Sequence, residues 1–148
     1  MLRVLVITYY WPPAGGAGVQ RWLKLCKYLP DHGVMPTVIT VKPGQATYPQ
    51  QDESLLEEVR NDIEVIRTDS FEPLQLYGKL FGKKKVPYGG FANVSNEGVL
   101  SKISRFIRGN FFIPDARKGW NKYAYNEAKK VLAEKSIDVV ITTGPPHS

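Results

Sequence analysis

The strongest constraint on the fold stands at the start of the chain. Leu2 to Thr8 reads LRVLVIT, apolar and β-branched without a clean alternation, the pattern of a strand covered on both faces of a parallel sheet. Directly after it, Tyr9 to Gly18 reads YYWPPAGGAG, whose two prolines and three glycines continue neither a strand nor a helix. From Val19 the apolar positions Val19, Leu23, Cys26 and Leu29 recur at helical spacing until Pro30 and Gly33 interrupt them. A buried strand, a tight glycine loop and an amphipathic helix, in that order, open an α/β domain.

The alternation continues. Thr37 to Val41 predicts a second short strand, closed by Lys42-Pro43-Gly44; Asp52 to Arg60 suits a short acidic helix, and Ile63 to Arg67 a third strand. The front half thus reads βαβαβ, a Rossmann-like, doubly wound and mainly parallel sheet with right-handed crossovers. Ser70 to Asn110 is less regular, and loops with short helices are expected there. Trp120, Tyr123, Ala124, Ala128, Val131 and Leu132 form a helical stripe with Pro114 and Asp115 near its start, where Asp115 reads as a cap rather than a catalytic acid. Ile137 to Thr142 predicts a fourth strand, followed by Gly144-Pro145-Pro146-His147-Ser148. No repeat is visible, and residues 1–148 fit one domain.

Composition narrows the class. At 43% hydrophobic and 23% charged residues, with a mean hydropathy of -0.27, the chain is neither a disordered tail, a fibrous repeat nor a bilayer protein. The apolar run at Leu2 to Ile7 is too short for a signal peptide or a span, so a cytoplasmic protein is expected. A single cysteine forbids an internal disulfide, and no Cys and His spacing suggests a metal; Cys26, between Leu25 and Lys27, reads as a buried inert thiol. The net charge of +6 is unevenly spread: residues 51 to 72 carry two basic against eight acidic side chains, residues 73 to 130 twelve against three. Such a local positive field suits an anionic partner or, equally, a solvated surface.

In an open doubly wound sheet, ligands bind beyond the carboxyl ends of the strands where the order reverses. For the order 3-2-1-4 the reversal falls between the first and fourth strands, and the loops PPAGGAG and TGPPHS meet in one cleft. Gly15, Gly16 and Gly18 permit positive φ and close backbone approach, while the helix behind them offers free N–H groups and the positive end of its dipole. A phosphate or a sugar hydroxyl fits there; turn geometry alone is the other reading of the same glycines. The loop is not a Walker A motif, since Val19-Gln20-Arg21 stands where Gly-Lys-Ser/Thr is required, nor is it GxGxxG. Val41-Lys42-Pro43 at the end of the second strand lacks the acidic residue that a dinucleotide ribose wants, which counts against NAD.

The stretch VLVITYYWPPAGGAGVQRWLKLCKYLPDHGVMPTVITV resembles the opening of bacterial family 4 glycosyltransferases, which have the two-domain GT-B fold; IPDARKGW and ITTGPPHS resemble later landmarks of the same N-terminal half. The resemblance implies the acceptor-side domain of a retaining enzyme of cell-envelope polysaccharide synthesis, one that moves a sugar from a nucleotide-sugar donor to a glycan or lipid-linked acceptor. It implies no cofactor and no metal. It also implies that the C-terminal nucleotide-sugar domain is absent from this chain, which alone would then be inactive. Carried over by residue, Gly15 and Gly16 lie against the donor phosphates, Gly18 opens the helix, and Gln20 and Arg21 face the same ligand. Gly144 and Ser148 border the substrate, and His147 is the catalytic polar group at the transferred sugar or the acceptor. The bland reading of His147 is a loop histidine beside two prolines, and that of Arg21 a solvated helix face.

Val99 to Phe111 projects Val99, Leu100, Ile103, Phe106, Ile107 and Phe111 onto one side of a helix and Lys102, Arg105 and Arg108 onto the other, with Lys83, Lys84 and Lys85 upstream. This suits the anionic surface of a cytoplasmic membrane face, or a helix whose apolar side packs on the sheet. No nucleic-acid motif accompanies the charge. Two further classes stay open: a non-catalytic phosphate- or membrane-binding module, and a nucleotide-dependent oxidoreductase domain.

Overall fold

The structure, a computed structural model, describes residues 1–71 and 117–144. The irregular middle from residue 72 on, the helix expected over Val99 to Phe111, the basic residues Lys83, Lys84, Lys85, Lys102, Arg105 and Arg108, Pro114, Asp115, His147 and Ser148 lie outside the described residues. The elements in chain order are β1 (Leu2–Ile7), α1 (Ala17–Tyr28), β2 (Val34–Val41), β3 (Glu64–Thr68), α2 (Asn121–Glu134) and β4 (Val139–Thr142), with short 3-10 turns at Leu29–His32, Pro43–Gln45, Glu53–Glu58 and Lys118–Trp120. The strands form one parallel sheet in the order β3-β2-β1-β4, a Rossmann-like α/β arrangement. The expected order holds, and the reversal falls between β1 and β4.

Each face of the sheet buries one helix. Val4, Val6 and Val38 pack against Val19, Leu23 and Cys26 of α1, together with Trp11 and Leu55. Leu5, Ile39 and Val41 pack on the other side against Ala124, Ala128 and Val131 of α2 and against Trp120. Adjacent residues of β1 therefore feed opposite cores, which is why LRVLVIT shows no alternation. Burying each Val or Leu contributes about 1.5–3 kcal/mol. Cys26 is fully enclosed, and burial pushes its thiol up to about 12.

Several expected boundaries move for physical reasons. Strand β2 begins at Val34 rather than Thr37 and carries Pro36 in its interior. Lys42 N–H donates to Thr68 O, so even-numbered β2 residues face β3, and the β3 ladder starts only at Thr37 opposite Glu64. The missing Pro36 N–H thus falls just short of the rung where it would be needed. The acidic segment expected as a helix over Asp52 to Arg60 is a 3-10 turn, started by the Asp52 carboxylate accepting from Ser54 N–H (3.2 Å). Strand β3 lies one residue later than expected, and β4 begins at Val139 rather than Ile137. Tyr123 and Leu132, assigned to the buried stripe of α2, are exposed, because that stripe is the narrower row Ala124, Ala128, Val131. Helix α1 stops where expected, at Tyr28, and Gly33 at φ 74 closes the 3-10 turn Leu29–His32 that follows it.

Candidate functional site

The carboxyl ends of the strands are tied together by threonine hydroxyls. Thr143 N–H donates to Ile7 O (3.1 Å) and its Oγ1 donates to Thr8 Oγ1 (2.9 Å), which in turn donates to Tyr10 O (3.2 Å). Thr40 Oγ1 donates to Tyr9 O (3.2 Å), and Thr68 Oγ1 donates to Thr40 O (3.4 Å) while accepting from Trp120 Nε1 (2.8 Å). Every strand exit is thereby bonded to a neighbouring exit, and the loops leave from a rigid edge. The signal for this was in the sequence, where all four apolar runs close on threonine: LVIT, TVIT, VIRT and VITT.

At the reversal point the loop after β1 lies beside the exit of β4, through the contact of Thr8 with Thr143. The two landmark segments therefore start as neighbours as far as Gly144, which is exposed. The loop is braced from the other side. Gly15 N–H donates to Gln50 O (3.0 Å), Asp52 N–H donates to Pro13 O (2.8 Å), and Ala14 pairs with Gln51. A Cβ on Gly15 would lie 3.1 Å from Gln50 Cγ. Gly15 thus spends its amide and its α-carbon on the brace. The Pro12–Pro13 peptide is cis.

Gly16 caps α1 at φ 105 and ψ 165, a region essentially restricted to glycine. The first bond of the helical ladder is Gln20 N–H to Gly16 O (3.1 Å), so the amides of Ala17, Gly18 and Val19 precede it. No side chain caps this end, and the first turn holds no acid. Ala17 and Gly18 are exposed, and a Cβ on Gly18 would meet nothing within 4 Å. Gln20 and Arg21 are exposed as well, but Arg21 stands on the side of α1 opposite Val19 and Leu23, away from the sheet. Arg67, which the sequence did not single out, reaches the same loop from β3: its Nη2 donates to Pro12 O (2.8 Å), and its buried Nη1 has no acceptor among the described residues.

The second feature unseen in the sequence is an aromatic cluster. Tyr9 makes edge contacts with Tyr10, Tyr48 and Trp120 at 5.0, 6.1 and 5.5 Å between centroids. The Arg117 guanidinium lies over Tyr9 and Tyr10 at 5.6 and 5.5 Å, and its Nη2 donates to Thr47 O (3.2 Å). Tyr10 and Tyr48 touch both cores, so the cluster closes the end of the sheet between its two faces. A Cβ on Gly119 would run into the Phe71 carbonyl, so close backbone approach explains that glycine of the ARKGW stretch.

A cleft of about 290 Å³ opens elsewhere, between β3 and α2, lined by Ile66, Thr68, Asp69, Tyr123, Asn126 and Lys130 among others. Asp69 is matched there by Lys42 and Lys130 by Glu127, while Arg67, which also lines the cleft, turns its Nη2 to Pro12 O. The reversal point is chemically the better prepared of the two. Among the described residues no group of three or more His, Cys, Asp or Glu gathers as for a metal, and no helix is long and apolar enough to cross a membrane. Comparison of the chain with protein-family models, with curated proteins and with solved structures finds no match.

Proposed function

We propose that this chain is the acceptor-side part of a retaining GT-B glycosyltransferase that moves a sugar from a nucleotide-sugar donor to a glycan or lipid-linked acceptor. The observation that carries the reading is the bare start of α1 at the reversal of strand order, beside the exit of β4. The amides of Ala17, Gly18 and Val19 and the positive helix end suit an anion in a position where open α/β sheets take their ligands. Arg67 adds a cation beside the same loop. The resemblance of the opening stretch, of IPDARKGW and of ITTGPPHS supplies the reaction class.

On this reading the bond from the anomeric carbon to the diphosphate breaks with its electron pair leaving on the diphosphate, the acceptor oxygen bonds the anomeric carbon on the same face, and the acceptor's hydroxyl proton passes to the departing diphosphate. The charge that grows on the leaving diphosphate is met by the amides at the start of α1. Gly16 at φ 105 turns the chain into the helix start, Gly15 holds the loop on residues 50–52, and Gly144 is assigned to the border of the same ligand. His147 is assigned to the transferred sugar or the acceptor, and the basic segment of Lys83 to Arg108 to an anionic membrane surface. The test is transfer from nucleotide sugars in the complete two-domain enzyme that this reading requires. Gly18→Asp, which sets a carboxylate among the helix amides, should lower transfer by about a hundredfold. Unchanged transfer removes the phosphate role; pyrophosphate binding without any transfer leaves a non-catalytic phosphate-binding module instead.

A further inference from the structure

The surface of α1 turned away from the sheet is not an ordinary solvated face. Arg21, Leu25 and Tyr28 recur at i, i+4 and i+7 along its crest, opposite the buried row of Val19, Leu23 and Cys26. Leu25 is 43% exposed and Tyr28 55%, and on the adjoining Glu53–Glu58 turn Leu56 is 42% exposed. That turn is fixed beside α1 by Glu58, which accepts from both Lys24 and Lys27. The charges farther out are treated differently. Arg21 on the helix and Glu53 and Glu57 on the turn are exposed and form no ion pair among the described residues, although their neighbours Lys24, Lys27 and Glu58 do.

A basic, apolar crest therefore runs alongside an acidic, apolar ridge, with the outermost charges of both unmatched. We infer that this surface binds a second copy of the chain, two-fold related, so that the α1 crest of each protomer lies on the Glu53–Glu58 ridge of the other. An isologous contact needs a patch that contains its own complement, and this one does: Arg21 meets Glu57 twice, around a centre of Leu25, Tyr28 and Leu56. An anionic lipid surface fits less well, because Glu53 and Glu57 repel it from the same face.

Sedimentation of the protein across a micromolar concentration series tests this. A monomer–dimer equilibrium is expected, weakening with added salt. Arg21→Glu and Glu57→Arg should each lower the association constant by about tenfold, whereas the chain carrying both reversals should regain it, since the pairs are restored with opposite sign. Leu25→Asp should abolish the dimer with an unchanged circular dichroism spectrum. A monomer at every concentration, a dimer indifferent to these substitutions, or single reversals that the double one fails to rescue would each overturn the inference.

Discussion

Helices α1 and α2 both begin at the carboxyl edge of the sheet, yet their first turns are built in opposite ways. The start of α2 is filled by protein: a 3-10 turn over Lys118–Trp120 leads into it, Trp120 is buried, and the indole N–H is bonded to Thr68. The start of α1 is a glycine cap at φ 105 with no 3-10 turn leading into it, and neither helix start has a capping side chain or an acid in its first turn. At α2 the preceding 3-10 turn takes up the first amide, Asn121 N–H donating to Lys118 O, whereas at α1 the first ladder bond is Gln20 N–H to Gly16 O. On the proposed reading, the difference separates an end that secures the structure from one that takes the donor phosphates.

Substitutions at the two starts should therefore break different things. Trp120→Ala should be the most damaging, at about 3–5 kcal/mol, since it empties the core under α2 and leaves the Thr68 hydroxyl without its donor; the shift of the urea midpoint reads this. At α1, Gly16→Ala forces a Cβ into the φ 105 conformation and should cost about 1–3 kcal/mol by the same measurement. Two positions on, Gly18→Ala has open space around it and should raise stability by about 0.5–1 kcal/mol. A loss at Gly18 as large as at Gly16 would show that this start, too, is packed for structure.

The smallest effect concerns the turn beside α1. Hydrogen bonds from Lys24 and Lys27 hold the Glu58 carboxyl below its ordinary range. A carboxylate whose folded value is depressed adds stability that is present above its unfolded value and lost as the pH falls through the folded one. Glu58→Gln should therefore lower stability slightly near neutral pH and flatten the decline in acid, as followed by thermal unfolding at a series of pH values. Equal slopes for the two proteins would deny the pair any role.

The sequence is most legible where one physical demand governs a whole segment. The two-sided burial of β1 removes alternation, and the glycines and prolines after it leave no element but a loop. The inert state of Cys26 follows in the same way from its place in the α1 stripe. Legibility fails where a residue answers to a partner far along the chain. Pro36 belongs to β2 only because the β3 ladder begins one residue later. Gly119 is required by Phe71, Arg67 by Pro12, and Arg117 by Tyr9, Tyr10 and Thr47, and none of these pairings has a local pattern. At the candidate site the glycine cluster marked the loop, but only the bond to Gln50 tells Gly15, which braces, from Gly16 and Gly18, which open the helix.

The most direct measurement is a titration of the protein with inorganic pyrophosphate, followed by the amide resonances of Ala17, Gly18 and Val19, for the native chain and for Gly18→Asp. A carboxylate in the first turn favours the helix by about 0.3–1 kcal/mol while repelling an anion. The account predicts saturable shifts at these amides in the native protein, and their loss in a variant that melts no lower. Shifts that are absent, or that survive the substitution, would contradict it.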